Sequence, residues 1–158
     1  AAVQHQGMPV IDESGVVGQI TRVTPMTSEA AMLTDEIVSI PVQVLRNGLR
    51  LIDFGSSSPG KVEVRYFSSD ADIREGDQLV TSGVGGVFPA GLAVGQIDHV
   101  ERNPASGFAR AEAKPASHPE RYRHFLVLQV PVGDGLTSLP TAAATSSTEL
   151  AGATDKTK

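Results

Sequence analysis

Cysteine is absent from the 158-residue chain, and so is tryptophan. Without cysteine there is no disulfide, no zinc–thiolate site and no cysteine nucleophile. The same absence does not fix a compartment, because a protein of an oxidising compartment can lack disulfides entirely. Aromatic residues are scarce, at five Phe and two Tyr. Sugar sites and interface anchors usually rest on aromatic rings, so this scarcity argues against a dedicated peptidoglycan-binding module. No apolar run reaches the roughly 18 residues that a membrane-spanning helix requires, and no signal-peptide pattern opens the chain. Thirteen Lys and Arg stand against 18 Asp and Glu, a formal charge of −5, which disfavours nonspecific nucleic-acid binding. The chain opens "AAVQHQ" without methionine, as expected of a piece of a longer protein.

What is present is a succession of short β-branched runs between turn signals, the pattern of an all-β fold. "GVVGQITRV" (Gly15–Val23) reads as a strand after the turn "DESG". "EAAMLT" (Glu29–Thr34) has helix-favouring residues, but its short length between turn signals suits a strand. In "IVSIPVQVL", Val38, Ile40, Val42 and Val44 share one face. Pro41 in that run cannot donate to a ladder, which predicts an edge strand or a bulge. Asn47-Gly48 is a hairpin signal before "GLRLIDF". In "KVEVRYF" alternation places Val62, Val64 and Tyr66 on one face. "QLVTS", "AVGQIDHVER", "GFARAEAKP" and "HFLVLQV" complete the set. The small alanine face of "ARAEAKP" predicts either tight packing or an edge. About nine or ten strands at roughly eight-to-twelve-residue spacing indicate a sandwich or barrel. Residues 134–158 hold little large apolar surface and much Ala, Ser and Thr, so they read as a disordered low-complexity tail.

"VTSGVGGVFPAGLAVGQI" (Val80–Ile97) carries five glycines. Gly83 and Gly85 fit the first two positions of a dinucleotide fingerprint, but Phe88 stands where the third glycine belongs. The stretch has no lysine for a P-loop, and no helical pattern follows. Gly83, Gly85, Gly86, Pro89, Gly91 and Gly95 therefore read as a structural turn motif, supplying positive φ and close backbone approach. Nor does a metal site emerge. His118 and His124 in "HPERYRH" have the wrong separation for a zinc pair. Asp70, Asp72, Glu75 and Asp77 in "DADIREGD" miss the register of a calcium loop and read as a solvated acidic turn. No cofactor is implied.

Four segments, "GVVGQITRVTPMTSEAAMLTD", "IPVQVLRNG", "SDADIREGDQLVTSG" and "TSGVGGVFPAGLAVGQI", together with the closing "RYRHFLVLQ", occur in the order found in the rod shape-determining protein MreC family, which the chain resembles from about Gly7 to Val130. The resemblance implies two small β-barrel subdomains, here approximately 1–60 and 61–133 with strands free to cross back. It also implies a noncatalytic scaffold of the bacterial cell-elongation machinery, on the periplasmic side of the inner membrane, anchored through a helix and coiled coil outside this chain. The implied partners are the elongation penicillin-binding transpeptidase and the MreD, MreB and RodA complex, with self-association as a competing use of the same surfaces. Because barrels of this family look like those of chymotrypsin-like proteases, a degenerate hydrolase is the alternative. Ser82 is the nearest nucleophile, yet it lacks a protease context, and His99 beside Asp98 points to the opposite face of its strand from that neighbour. No catalytic residue is assigned. The partner-binding candidates are Pro41, at its supposed edge, and Phe88, which either plugs its own barrel or, if exposed, anchors a partner within an apolar patch of the second barrel.

Overall fold

The computed structural model describes residues 4–129. It is all-β and antiparallel throughout. Its strands are β1 (Pro9–Ile11), β2 (Val16–Val23), β3 (Ser28–Met32), β4 (Ser39–Val44), β5 (Arg50–Gly55), β6 (Val62–Ser68), β7 (Gln78–Thr81), β8 (Ala93–Asn103), β9 (Phe108–Pro115) and β10 (Leu126–Val127). Strands β4-β5-β6-β9-β8-β7 close into a barrel, and β10-β1-β2-β3 form a four-stranded sheet. Pairing passes from sheet to barrel between β3 and β4, upstream of the approximate division at residue 60, and β10 crosses back to β1. Of the strand anticipated in "HFLVLQV", β10 is the described part, and the tail from residue 134 lies outside the described residues.

Alternation explains most of the barrel. Ile40, Val42 and Val44 are buried as anticipated, and so is Val38 just before β4. On β9 it is Ala109, Ala111 and Ala113 that turn inward. The strand is flanked by β6 and β8, so its alanine face serves tight packing and is no edge. Val16, Ala31 and Leu33 of the sheet region join the same core, while Val10, Val17 and Ile20 form a smaller cluster with Met8 and Val127. Asp12 ties the two regions: its carboxylate accepts from the N–H groups of Ser14 (2.7 Å), Gly15 (3.0 Å) and His118 (2.7 Å).

Two expectations are corrected. Strand β4 is not an edge: it pairs with β5 on one side and β7 on the other. Pro41 is tolerated because the β7 ladder begins only at Val42, and the Pro41 carbonyl takes the Ser82 N–H (3.0 Å) just past the end of β7. The missing N–H falls on that same side, where no β7 residue asks for it. Tyr66 does not share the inward face of Val62 and Val64. The β6–β9 register shifts between Val64 and Phe67, with Tyr66 at φ 61°, so Phe67 turns into the core and Tyr66 turns out. This is a bulge, which inserts residues into one strand and re-aims a side chain.

The glycine stretch joins β7 to β8 with no helix between them. Gly83, Gly85, Gly86 and Gly91 take φ values of 71–89°. Gly95 is required for a different reason, since a Cβ there would lie 2.5 Å from the Lys114 carbonyl oxygen. Thr81 closes the loop, its hydroxyl donating to the Pro89 carbonyl (2.5 Å) and accepting from the Leu92 N–H (2.9 Å). Phe88, only 3% exposed, is held within the core.

Candidate docking surface

The bulge sets Tyr66 out on the surface, at an open groove. Strands β6, β9 and β8 present a groove of about 660 Å³ at the end of the barrel where β8 and β9 turn at Asn103–Gly107. Tyr66 stands in it 78% exposed and Phe108, at the start of β9, 56% exposed. The strand pairing puts them together: Phe108 is opposite Ser68 on β6 and Asn103 on β8. Asn103 braces the turn by accepting from the Ala105 N–H (3.1 Å).

Charged side chains frame the two rings. Glu101 and Arg110 are cross-strand partners and bond at 2.5 Å (Glu Oε2 to Arg Nε). That bond to Glu101 raises the basicity of Arg110 above its ordinary value. Arg65 pairs with Glu63 and sits over the Phe54 ring, 5.6 Å from its centroid. Glu63 is only 4% exposed and also accepts from the Ser56 hydroxyl (3.2 Å). Arg102 donates to the carbonyls of Ser69, Ala71 and Ile73 at 2.6–3.0 Å, so the segment leading out of β6 is held in place. The arrangement offers two exposed rings flanked by arginines whose present partners are acidic, the residue types that dominate protein interfaces. It contains no nucleophile paired with a base.

The residues singled out in the sequence fall elsewhere. Phe88 plugs the barrel and cannot serve as an exposed anchor, while its loop neighbours Val84 and Val87 are exposed. Pro41 is half-buried in the barrel wall. The open sheet ends at β10 on one side and at β3 on the other, and among the described residues β3 pairs only with β2. Ser82 accepts from the Val84 N–H (3.3 Å), and no histidine among the described residues hydrogen-bonds to it. His99 approaches Glu75 at 3.8 Å and His118 approaches Glu120 at 3.3 Å. The acidic turn is clamped, not merely solvated: Arg46 bonds Asp72 and Asp77, each at 2.9 Å. Its guanidinium holds the Asp72 carboxyl down to about 2 and lowers that of Asp77. Reading the sequence missed Tyr66, Phe108, Arg65 and Arg110. The one available signal was "RYF", in which two adjacent rings cannot both face a core without a break in alternation.

Residues 4–129 match the family model "Rod shape-determining protein MreC, barrel core". The chain belongs to the MreC family. The cell shape-determining protein MreC of Haemophilus influenzae is 45% identical over 124 residues, 78% of this chain and 35% of that protein. The chain thus spans about a third of the length of these curated MreC relatives. The crystal structure of MreC from Pseudomonas aeruginosa superposes with a TM-score of 0.74 at 44% identity, covering 79% of this chain and 81% of that one. MreC in a solved complex between Penicillin-Binding Protein (PBP2) and MreC from Helicobacter pylori shares the fold, with a TM-score of 0.66 at 21% identity over 78% of this chain and 77% of that one. Among the described residues no helix of this MreC chain is long and apolar enough to cross a membrane.

Proposed function

We propose that this MreC barrel core is a noncatalytic scaffold on the periplasmic side of the inner membrane, and that its Tyr66–Phe108 groove docks the elongation penicillin-binding transpeptidase. The observation that carries the reading is the bulge at Tyr66, which holds a large ring at positive φ and out in solvent. A bulky residue in that conformation is a true outlier that costs free energy, and such positions cluster at binding sites. The PBP2 complex of the Helicobacter pylori relative supports a transpeptidase as the partner. MreD, MreB and RodA complete the assembly this scaffold would organise, through segments beyond the barrel core.

Binding of a soluble transpeptidase ectodomain, measured by calorimetry, tests the assignment. Phe108→Asp should weaken it at least tenfold, the loss usual for an interface anchor of more than about 1.4 kcal/mol, with circular dichroism unchanged. Wild-type affinity in that folded variant would move the contact off the groove.

Self-association is a second use of the molecule, favoured by a separate observation. The free edge of β3 lies beside exposed Val23, Met26 and Met32, and an open edge is a template for another strand. The hydrolase alternative has no such support, because no histidine or carboxylate among the described residues hydrogen-bonds to Ser82.

A further inference from the structure

Asp53 takes no part in the docking surface and has no evident role in the core. It is 1% exposed, it lies opposite Ile40 on β4 and Val64 on β6, and neither carboxyl oxygen has a protein hydrogen-bond partner. A charge buried without a partner is costly, and such a group keeps its proton instead. Burial pushes the Asp53 carboxyl well above the usual carboxylate range, and the nearby Glu63 charge adds to that. Among the described residues no other ionisable group offsets it. Strand β4 carries none, β5 carries only Arg50 at its far, exposed end, and on β6 Glu63 is itself engaged with Arg65 and Ser56.

The position of Asp53 gives its proton a consequence. The β5–β6 seam consists of three residue pairs, Gly55↔Val62, Phe54↔Glu63 and Asp53↔Val64. Asp53↔Val64 is therefore the last rung. Beyond it β6 leaves β5 and bulges, and the next two residues are Arg65 and Tyr66 of the groove. Ionisation favours whatever exposes Asp53 to water, and parting that last rung, where the pairing already ends, would do so.

We propose that ionisation of Asp53 loosens the end of the β5–β6 seam and with it Arg65 and Tyr66, so that the docking groove is formed best when Asp53 is protonated. The regulatory role rests on the docking reading of the groove; the proton linkage itself does not. The sign follows from linkage. A carboxyl whose folded value is raised binds its proton more tightly in the native state, so its contribution is complete below the unfolded value near 4 and is lost as pH rises toward the folded value.

The test is a carboxyl-carbon NMR titration of the full chain from about pH 4 to about pH 9, with the Arg65 and Tyr66 amides followed in parallel. Asp53 should titrate far above the other carboxylates, and both amides should shift with the same midpoint. Asp53→Asn should abolish the amide transition and raise Tm relative to the parent by a margin that widens with pH. Asp53→Leu provides the same comparison without an unpaired amide in the core. An Asp53 carbon titrating near 4, or amides that ignore its midpoint, overturns the proposal. Groove variants that bind the transpeptidase normally would overturn the docking reading instead, and the NMR midpoint does not depend on that result.

Discussion

Replacing Tyr66 by glycine separates the fold's interest in that residue from the groove's. At φ 61° an L-residue carries roughly 1–2 kcal/mol of strain, which glycine removes. Glycine in turn costs about 0.5–1 kcal/mol in backbone entropy. The ring is 78% exposed, so about a fifth of a tyrosine's roughly 200 Å² is buried, worth about 1 kcal/mol at 25 cal/mol/Å². The terms nearly cancel, and Tyr66→Gly should leave stability within about 1 kcal/mol of the parent. Tyr66→Ala loses the same burial and keeps the strained φ that the parent also carries, so it should be about 1 kcal/mol less stable than the parent. Binding should not discriminate between them. Both remove the ring, and both should lose roughly 2 kcal/mol or more of transpeptidase affinity, about thirtyfold. Urea midpoints supply the first comparison and calorimetric titration the second. If Tyr66→Gly is destabilised by more than about 2 kcal/mol, the ring serves the fold. If it binds like the parent, the strain has another purpose.

Three further outcomes follow from the same structure. Gly86→Val should cost about 1–3 kcal/mol purely through its φ of 71°, because nothing lies within 4 Å of a Cβ there; Gly86→Asn, which tolerates that conformation, should recover most of the loss in a thermal melt. Phe88→Ala should cost about 3–5 kcal/mol by leaving a cavity in the barrel, and a urea midpoint unchanged from the parent would show the ring is not the plug. Arg46→Met frees Asp72 and Asp77, whose carboxyls Arg46 holds below their ordinary range. Because those native values are depressed, the Tm advantage of the parent should be full above about pH 5 and shrink as pH falls toward 2, and an advantage independent of pH would rule out the ion pairs as its source.

The barrel wall was legible where the local pattern decides the outcome. Ile40, Val42 and Val44 alternate, and no neighbouring strand can change which face they share. The glycine loop was legible for the same reason, since φ at Gly83 to Gly91 is a demand of the turn alone. Pro41 was misread because its meaning depends on a partner almost 40 residues away. Where β7 begins its ladder, at Val42 and not at Pro41, is a fact of closure that no window around Pro41 contains. The alanines of β9 failed to decide between edge and interior for the same reason, as only the positions of β6 and β8 settle it.

Tyr66 is the more instructive failure, because there the local rule itself was broken. Strict alternation through "KVEVRYF" sends Tyr66 inward and Phe67 outward. The barrel has room for Phe67, and the bulge shifts the frame so that Phe67 takes the core position opposite Ala109. A fold selected for stability alone could have kept the frame by placing a small residue at one of these positions. Keeping both rings costs an αL tyrosine, yet it sets an aromatic side chain in solvent beside Phe108 and two charge pairs. Sequences that specify one fold agree across levels, and the places where they do not are where function is expected. The same break follows directly on Asp53↔Val64, the last rung of the β5–β6 seam, so the rung that holds the unpartnered acid and the strained Tyr66 lie two residues apart on β6. A change that repaired the alternation, such as deletion of Tyr66, should therefore remove the groove and extend the seam past Asp53 in a single step.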